Sequence, residues 1–110
     1  MNDAEIVRAA GEQVTGWTWS DEDGGFPEAE GDEGAYDWDP LTFLSDTGIL
    51  IEAMRAKGWR LFVESSRDEF SVYFWHPKLK CKPRTTCKIL SRAITIAALR
   101  ALEVPNVKAD

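Results

Sequence analysis

Cysteine and histidine are nearly missing from this chain, which holds two cysteines (Cys81 and Cys87) and one histidine (His76) in 110 residues. Two cysteines six apart beside Lys80, Lys82 and Lys88 are not a disulfide framework of the extracellular kind, and a reduced pair in a cytosol is the expectation. His76 is followed by Pro77, so spacing alone completes no His-His or His-Cys metal set. No apolar run approaches the roughly 20 residues of a membrane span. The first thirteen residues carry Asp3, Glu5 and Glu12 against Arg8, unlike a signal or transit peptide. No glycine-rich phosphate loop, GxSxG or HExxH occurs. Paired carboxylates abound, but in a segment too irregular to hold the pKa separation that acid–base catalysis needs. A non-enzymatic, cytoplasmic protein without metal or cofactor is expected.

Basic residues are also absent from one long stretch, since no Lys or Arg lies between Arg8 and Arg55. Residues 1–54 hold fourteen acids and one base, a balance of −13, whereas residues 55–110 hold twelve bases and five acids, a balance of +7. The net charge of −6 therefore conceals two oppositely charged halves, a property that governs partner choice and association rate.

What is present is enough apolar material for one core, with 44% hydrophobic residues including five Trp and five Phe. A single domain over residues 1–110 is expected. Asn2 with Glu5 resembles a capping box, and Ile6, Ala9, Ala10 and Val14 recur at helical spacing, predicting a helix over 3–13. From Trp17 to Pro40 no period holds and Gly and Pro recur, which predicts a long acidic loop at about 17–44, pinned by aromatic rings. Ser45 is expected to cap a second helix that runs to Lys57 and stops at Gly58. Alternation over 59–64 and 70–75 predicts a hairpin with aromatic pairs on its buried side. Pro77 to Pro83 reads as a lysine-guarded edge strand, and residues 86–103 as a closing helix with Arg92 and Arg100 outside. The fold class is α+β: a small antiparallel sheet of two to four strands packed with helices, as in an α-β-α sandwich.

Three segments carry a family resemblance: AAGEQVTGW (9–17), DTGILIEAMRAKGWRLFV (46–63) and SRAITIAALRAL (91–102). In these the chain resembles the phage ABA sandwich domain, a family of small bacteriophage proteins. The resemblance implies a helix-sheet-helix fold and a viral origin, and no activity. The acidic loop and the KPRTTCK lead into the last helix depart from that pattern, and a particular function is expected there.

Two functional readings are open. In the first, the protein binds and modulates a host macromolecule with a basic surface, for instance to inhibit a bacterial defence system, through its acidic, aromatic-rich loop. The candidate contacts are Trp19, Asp21, Glu22, Asp23, Phe26, Glu30, Asp32, Glu33, Tyr36, Asp37, Trp38 and Asp39, acids for steering and rings for anchoring. The plainer reading of the acids is a solvated loop and of the rings simple pinning. The stretch DEDGG at 21–25 suggests a calcium loop but fails, because its glycine arrives two residues early. In the second reading, an anionic nucleotide-type ligand is sequestered at residues 75–88 by Trp75, His76, Lys78, Lys80, Lys82 and Arg84, for which the plainer account is a guarded edge. Nucleic-acid binding is disfavoured by the net negative charge. A homo-oligomer stays open.

Overall fold

The computed structural model describes residues 1–29, 38–81 and 84–107, with the backbone alone at Ala29, Lys80 and Cys81. Helix α1 spans Asp3–Ala9 and opens on the expected capping box: Asn2 Oδ1 accepts the Glu5 amide at 2.8 Å and Glu5 Oε1 accepts the Asn2 amide at 3.1 Å. It does not run on as an α-helix to Gln13. Residues Ala10–Thr15 widen into a π-helix closed by Gly16 at φ 77°, with the Trp17 amide donating to the Gly11 carbonyl at 2.9 Å. The widening has a packing partner, because the Phe26 ring lies where a side chain on Gly11 would stand.

Helix α2 spans Leu44–Ala56, and its N-cap is Phe43, without a side-chain cap. Ser45 therefore does not cap it. The turn over 39–43 feeds the helix instead, and two residues of its first turn reach back to hold that turn. Asp46 Oδ2 accepts the Asp39 amide at 2.8 Å, and Thr47 Oγ1 donates to the Pro40 carbonyl at 2.8 Å. Both are buried, and so are Ser91 and Thr95, which donate to the Leu41 and Pro40 carbonyls at 2.8 and 2.9 Å. Four buried polar side chains thus satisfy a backbone turn that no ladder could reach. At the other end Gly58 takes φ 94°, with Gly58 donating to Arg55 at 2.9 Å and Trp59 to Met54 at 3.0 Å, the Schellman closure that Lys-Gly-Trp foretold.

Strands β1 (Arg60–Ser65) and β2 (Phe70–His76) form the expected antiparallel hairpin. Along the far side of β2 lie β3 (Lys80–Cys81) and β4 (Thr85–Cys87), end to end and both antiparallel to it. Residues 86 and 87 therefore belong to the sheet and not to the closing helix, as β-branched Thr85 and Thr86 favour. That helix, α3, spans Leu90–Ala101 and is buried over most of its circumference. One side lies on β2 and β4, and the other receives α2 and the π segment. The core is the seam between them, with Val72 and Phe74 of the sheet meeting Ile94, Ala97, Ala98 and Leu99, and with Ile6, Val14, Leu50 and Met54 behind. The architecture is α+β, an antiparallel sheet packed with helices. Among the described residues no helix is long and apolar enough to cross a membrane.

A candidate ligand-binding face on the sheet

Because side chains alternate along a strand, β2 turns Val72 and Phe74 towards the helices and Ser71, Tyr73 and Trp75 the other way. Opposite them, the register Arg60↔Trp75, Phe62↔Tyr73 and Glu64↔Ser71 puts those β1 residues on the same open side. The expectation of aromatic pairs on the buried side is thereby corrected. Phe62 and Tyr73 stack on the open face, with ring centroids 5.0 Å apart and planes 7° from parallel.

The second edge contributes through a change of register. β3 pairs Trp75↔Cys81, whereas β4 pairs Val72↔Thr85, so three steps along β2 face four along the other chain. The register against β2 is thus offset by one extra residue between the two pairs. An unbroken register would set residue 84 opposite Val72, on the helix side. The extra residue puts Thr85 there, fully buried, and turns Arg84 outwards beside Tyr73.

A row of three side chains results across the sheet: Phe62, Tyr73 and Arg84, with the Arg84 guanidinium carbon 5.1 Å from the Tyr73 ring centre. A second row pairs Arg60 with Trp75 at 5.5 Å. These five residues bound one open depression of about 410 Å³, within the range of small-ligand sites. Arg84 also grips Glu64 with two bonds, Nη1 to Oε2 at 2.5 Å and Nη2 to Oε1 at 3.2 Å. That hydrogen bonding, and then the guanidinium charge, holds the Glu64 carboxyl below its ordinary value. Flat aromatic walls with a cation at each end suit a planar ring bearing an anionic group.

Of the residues expected at the basic segment, Trp75 and Arg84 belong to this face, and His76 does not. His76 points to the helix side, meets Trp59 edge-to-face with ring centroids 5.1 Å apart, donates from Nε2 to the Lys57 carbonyl at 3.1 Å and accepts the Lys78 amide at Nδ1 at 3.1 Å. Both ring nitrogens serve the backbone, which fixes the tautomer and removes His76 as a ligand contact. Lys78 sits exposed in the turn before β3. Lys82 and the side chain of Lys80 lie outside the described residues. Arg60, Phe62 and Tyr73 do not stand out in the sequence as site residues. The signal that could have found them is the alternation of the hairpin, which gives both strands an aromatic residue on the face away from Leu61, Val72 and Phe74.

The described part of the acidic loop is pinned by its rings, the plainer of the two readings. Phe26 and Trp38 are buried, 6% and 7% exposed, so they pin the loop and are not anchors for a partner. Phe26 lies 5.8 Å from Trp17, 5.2 Å from Trp19 and 6.0 Å from Trp38, and Trp38 Nε1 donates to the Asp46 carbonyl at 3.3 Å. Arg8 covers the half-buried Trp19 at 4.9 Å. Asp21, Glu22 and Asp23 stand exposed in a turn closed by the Ser20–Gly25 bridge. Asp39, half-buried, accepts the Leu41 amide at 3.1 Å and lines, with Trp19 and Asp3, a groove of about 330 Å³ beside α1. Glu30, Asp32, Glu33, Tyr36 and Asp37 lie outside the described residues. Within the described residues no group of three or more His, Cys, Asp or Glu is placed to hold a metal ion.

No family model, curated protein or solved structure matches this chain.

Proposed function

We propose that this chain is a small binding module that captures an anionic, planar aromatic ligand of the nucleotide type on the open face of its sheet. The observation that carries the reading is the convergence of Phe62, Tyr73 and Trp75 with Arg60 and Arg84 around one depression. Aromatic side chains left on a solvent face are not needed by the core, and ring stacking is worth about 1–3 kcal/mol per base. The two guanidiniums add charge-assisted bonds to a phosphate. A mononucleotide meets only this local field, whereas a long polyanion also meets the carboxylates of the first half.

The test is calorimetry with nucleoside mono- and diphosphates, set beside free nucleoside and inorganic phosphate. The nucleotides are expected to bind, each half alone more weakly, and Trp75→Ala to weaken binding about tenfold or more. Absence of heat with every nucleotide, or binding indifferent to Trp75→Ala, refutes the reading.

A second reading, capture of a basic host macromolecule by the loop, as expected of a phage modulator, is favoured by the exposed acids Asp21, Glu22 and Asp23. Among the described residues none of the three forms an ion pair. It is tested by replacing all three with Asn. Co-purification of a partner that survives the change, at low and moderate salt alike, counts against it.

A further inference from the structure

Strand β1 is an edge strand, paired with β2 on one side and with no described strand on the other. Natural sheets blunt such edges with lysine, proline, bulges or very short strands. The opposite edge of this sheet follows that practice, broken into strands of two and three residues with a register step between them. β1 does not. It is six residues long and regular, and it leaves Phe62 and Val63 41% and 43% exposed.

The sequence of this edge, Arg60-Leu61-Phe62-Val63-Glu64, is complementary to itself when reversed. Two antiparallel copies of one strand oppose residues of the same face only when the two-fold axis passes through a residue. Centred on Leu61, Arg60 meets Phe62 and Glu64 falls beyond the strand. Centred on Val63, Phe62 meets Glu64. Centred on Phe62, Arg60 meets Glu64 twice, Leu61 meets Val63 twice, and the two Phe62 rings meet on the axis. This register alone matches both charges and apolar groups.

We propose that two copies of this chain pair antiparallel through β1, with Phe62 on the two-fold axis, into one continuous sheet. The row Arg84, Tyr73, Phe62 then continues into the partner's Phe62, Tyr73 and Arg84. Each Glu64, kept ionised by Arg84 on its own chain, faces the partner's Arg60. On the helix side the exposed Val63 is covered by the partner's Leu61. The open face stays uncovered, because strand pairing extends the sheet within its own plane, and the two depressions come to lie side by side. Six residues a side is a small interface, so association is concentration-dependent, on the order of micromolar. The proposal is independent of whether the depression binds a nucleotide.

Sedimentation velocity over a concentration series of the full chain tests it. The wild type is expected to pass from monomer to dimer. Phe62→Lys, which sets two ammonium groups on the axis, and Arg60→Glu, which sets glutamates opposite glutamates, are both expected to stay monomeric with unchanged far-UV circular dichroism. The reciprocal pair Arg60→Glu with Glu64→Arg is expected to restore the dimer. Register is read by oxidative cross-linking in a Cys81→Ser, Cys87→Ser background, where Phe62→Cys should link two chains and Ser65→Cys should not. A wild type that is monomeric throughout the series overturns the proposal, and so does Ser65→Cys linking as readily as Phe62→Cys.

Discussion

Replacing Gly11 with alanine has a sign that the sequence and the structure predict oppositely. Gly11 lies in a helical stretch, and by propensity alone Gly→Ala stabilises such a position by roughly 0.8–1 kcal/mol. In the folded protein, however, the new methyl falls on the Phe26 ring. Phe26 is not free to swing away, since Trp17, Trp19 and Trp38 enclose it at centroid distances of 5.8, 5.2 and 6.0 Å and it is 6% exposed. Overpacking a closed site costs about 1–3 kcal/mol. The net expectation is a loss of up to about 2 kcal/mol, or about 4 °C in Tm for each kcal/mol in a domain of this size. Urea unfolding followed by circular dichroism measures it, with Phe26→Leu as the second corner of a double-mutant cycle. In the Phe26→Leu background the alanine should cost much less, because a shorter side chain leaves room, and the coupling should be at least about 0.5 kcal/mol. A midpoint that rises on Gly11→Ala in the wild-type background refutes the packing of the loop on the π segment.

Gly58→Ala should destabilise by about 1–2 kcal/mol, seen as a lower urea midpoint, because Gly58 is left-handed at φ 94° and a methyl there would sit 2.7 Å from His76 Nε2. Thr95→Val keeps the shape of the side chain but removes one of the two donors to the Pro40 carbonyl, which retains Thr47 Oγ1 at 2.8 Å, and a loss of about 0.5–1.5 kcal/mol is expected in the same assay. Carboxyl NMR should find Glu64 titrating below its ordinary 4.5 in the wild type and returning towards it in Arg84→Ala. A depressed folded value means that the pair supports the fold above the ordinary value and that the support is lost as pH falls through the folded value. Glu64 is exposed, so the contribution to stability is slight and the NMR shift is the sensitive readout. Glu64→Gln, which removes a rival for Arg84, should tighten nucleotide binding in calorimetry.

The element types are readable because each is written in a local pattern. The capping box at Asn2–Glu5, the Lys-Gly-Trp stop at 57–59 and the alternation of 70–75 need only neighbours in sequence, and each is found where expected. The start of α2 misleads because Ser45 looks like a cap locally, whereas the turn before the helix is held by Ser91 and Thr95 about fifty residues away. The candidate site is legible in part. Trp75 and Arg84 stand out as ring and charge in a basic run, but Arg60, Phe62 and Tyr73 belong to it only through strand register.

Composition and periodicity by themselves determined the class of fold, the α2 stop, the hairpin and the opposition of charge between the two halves, because these depend on spacings of two to four residues. Tertiary structure decided which aromatic residues face solvent, that Phe26 and Trp38 go inside, that His76 serves the backbone and that Arg84 turns outwards. The reason is one of counting: a single residue gained between Cys81 and Thr85 reverses the face of every later residue in that strand. Whether the ladder accommodates that residue there depends on which strand lies alongside, which no local pattern records.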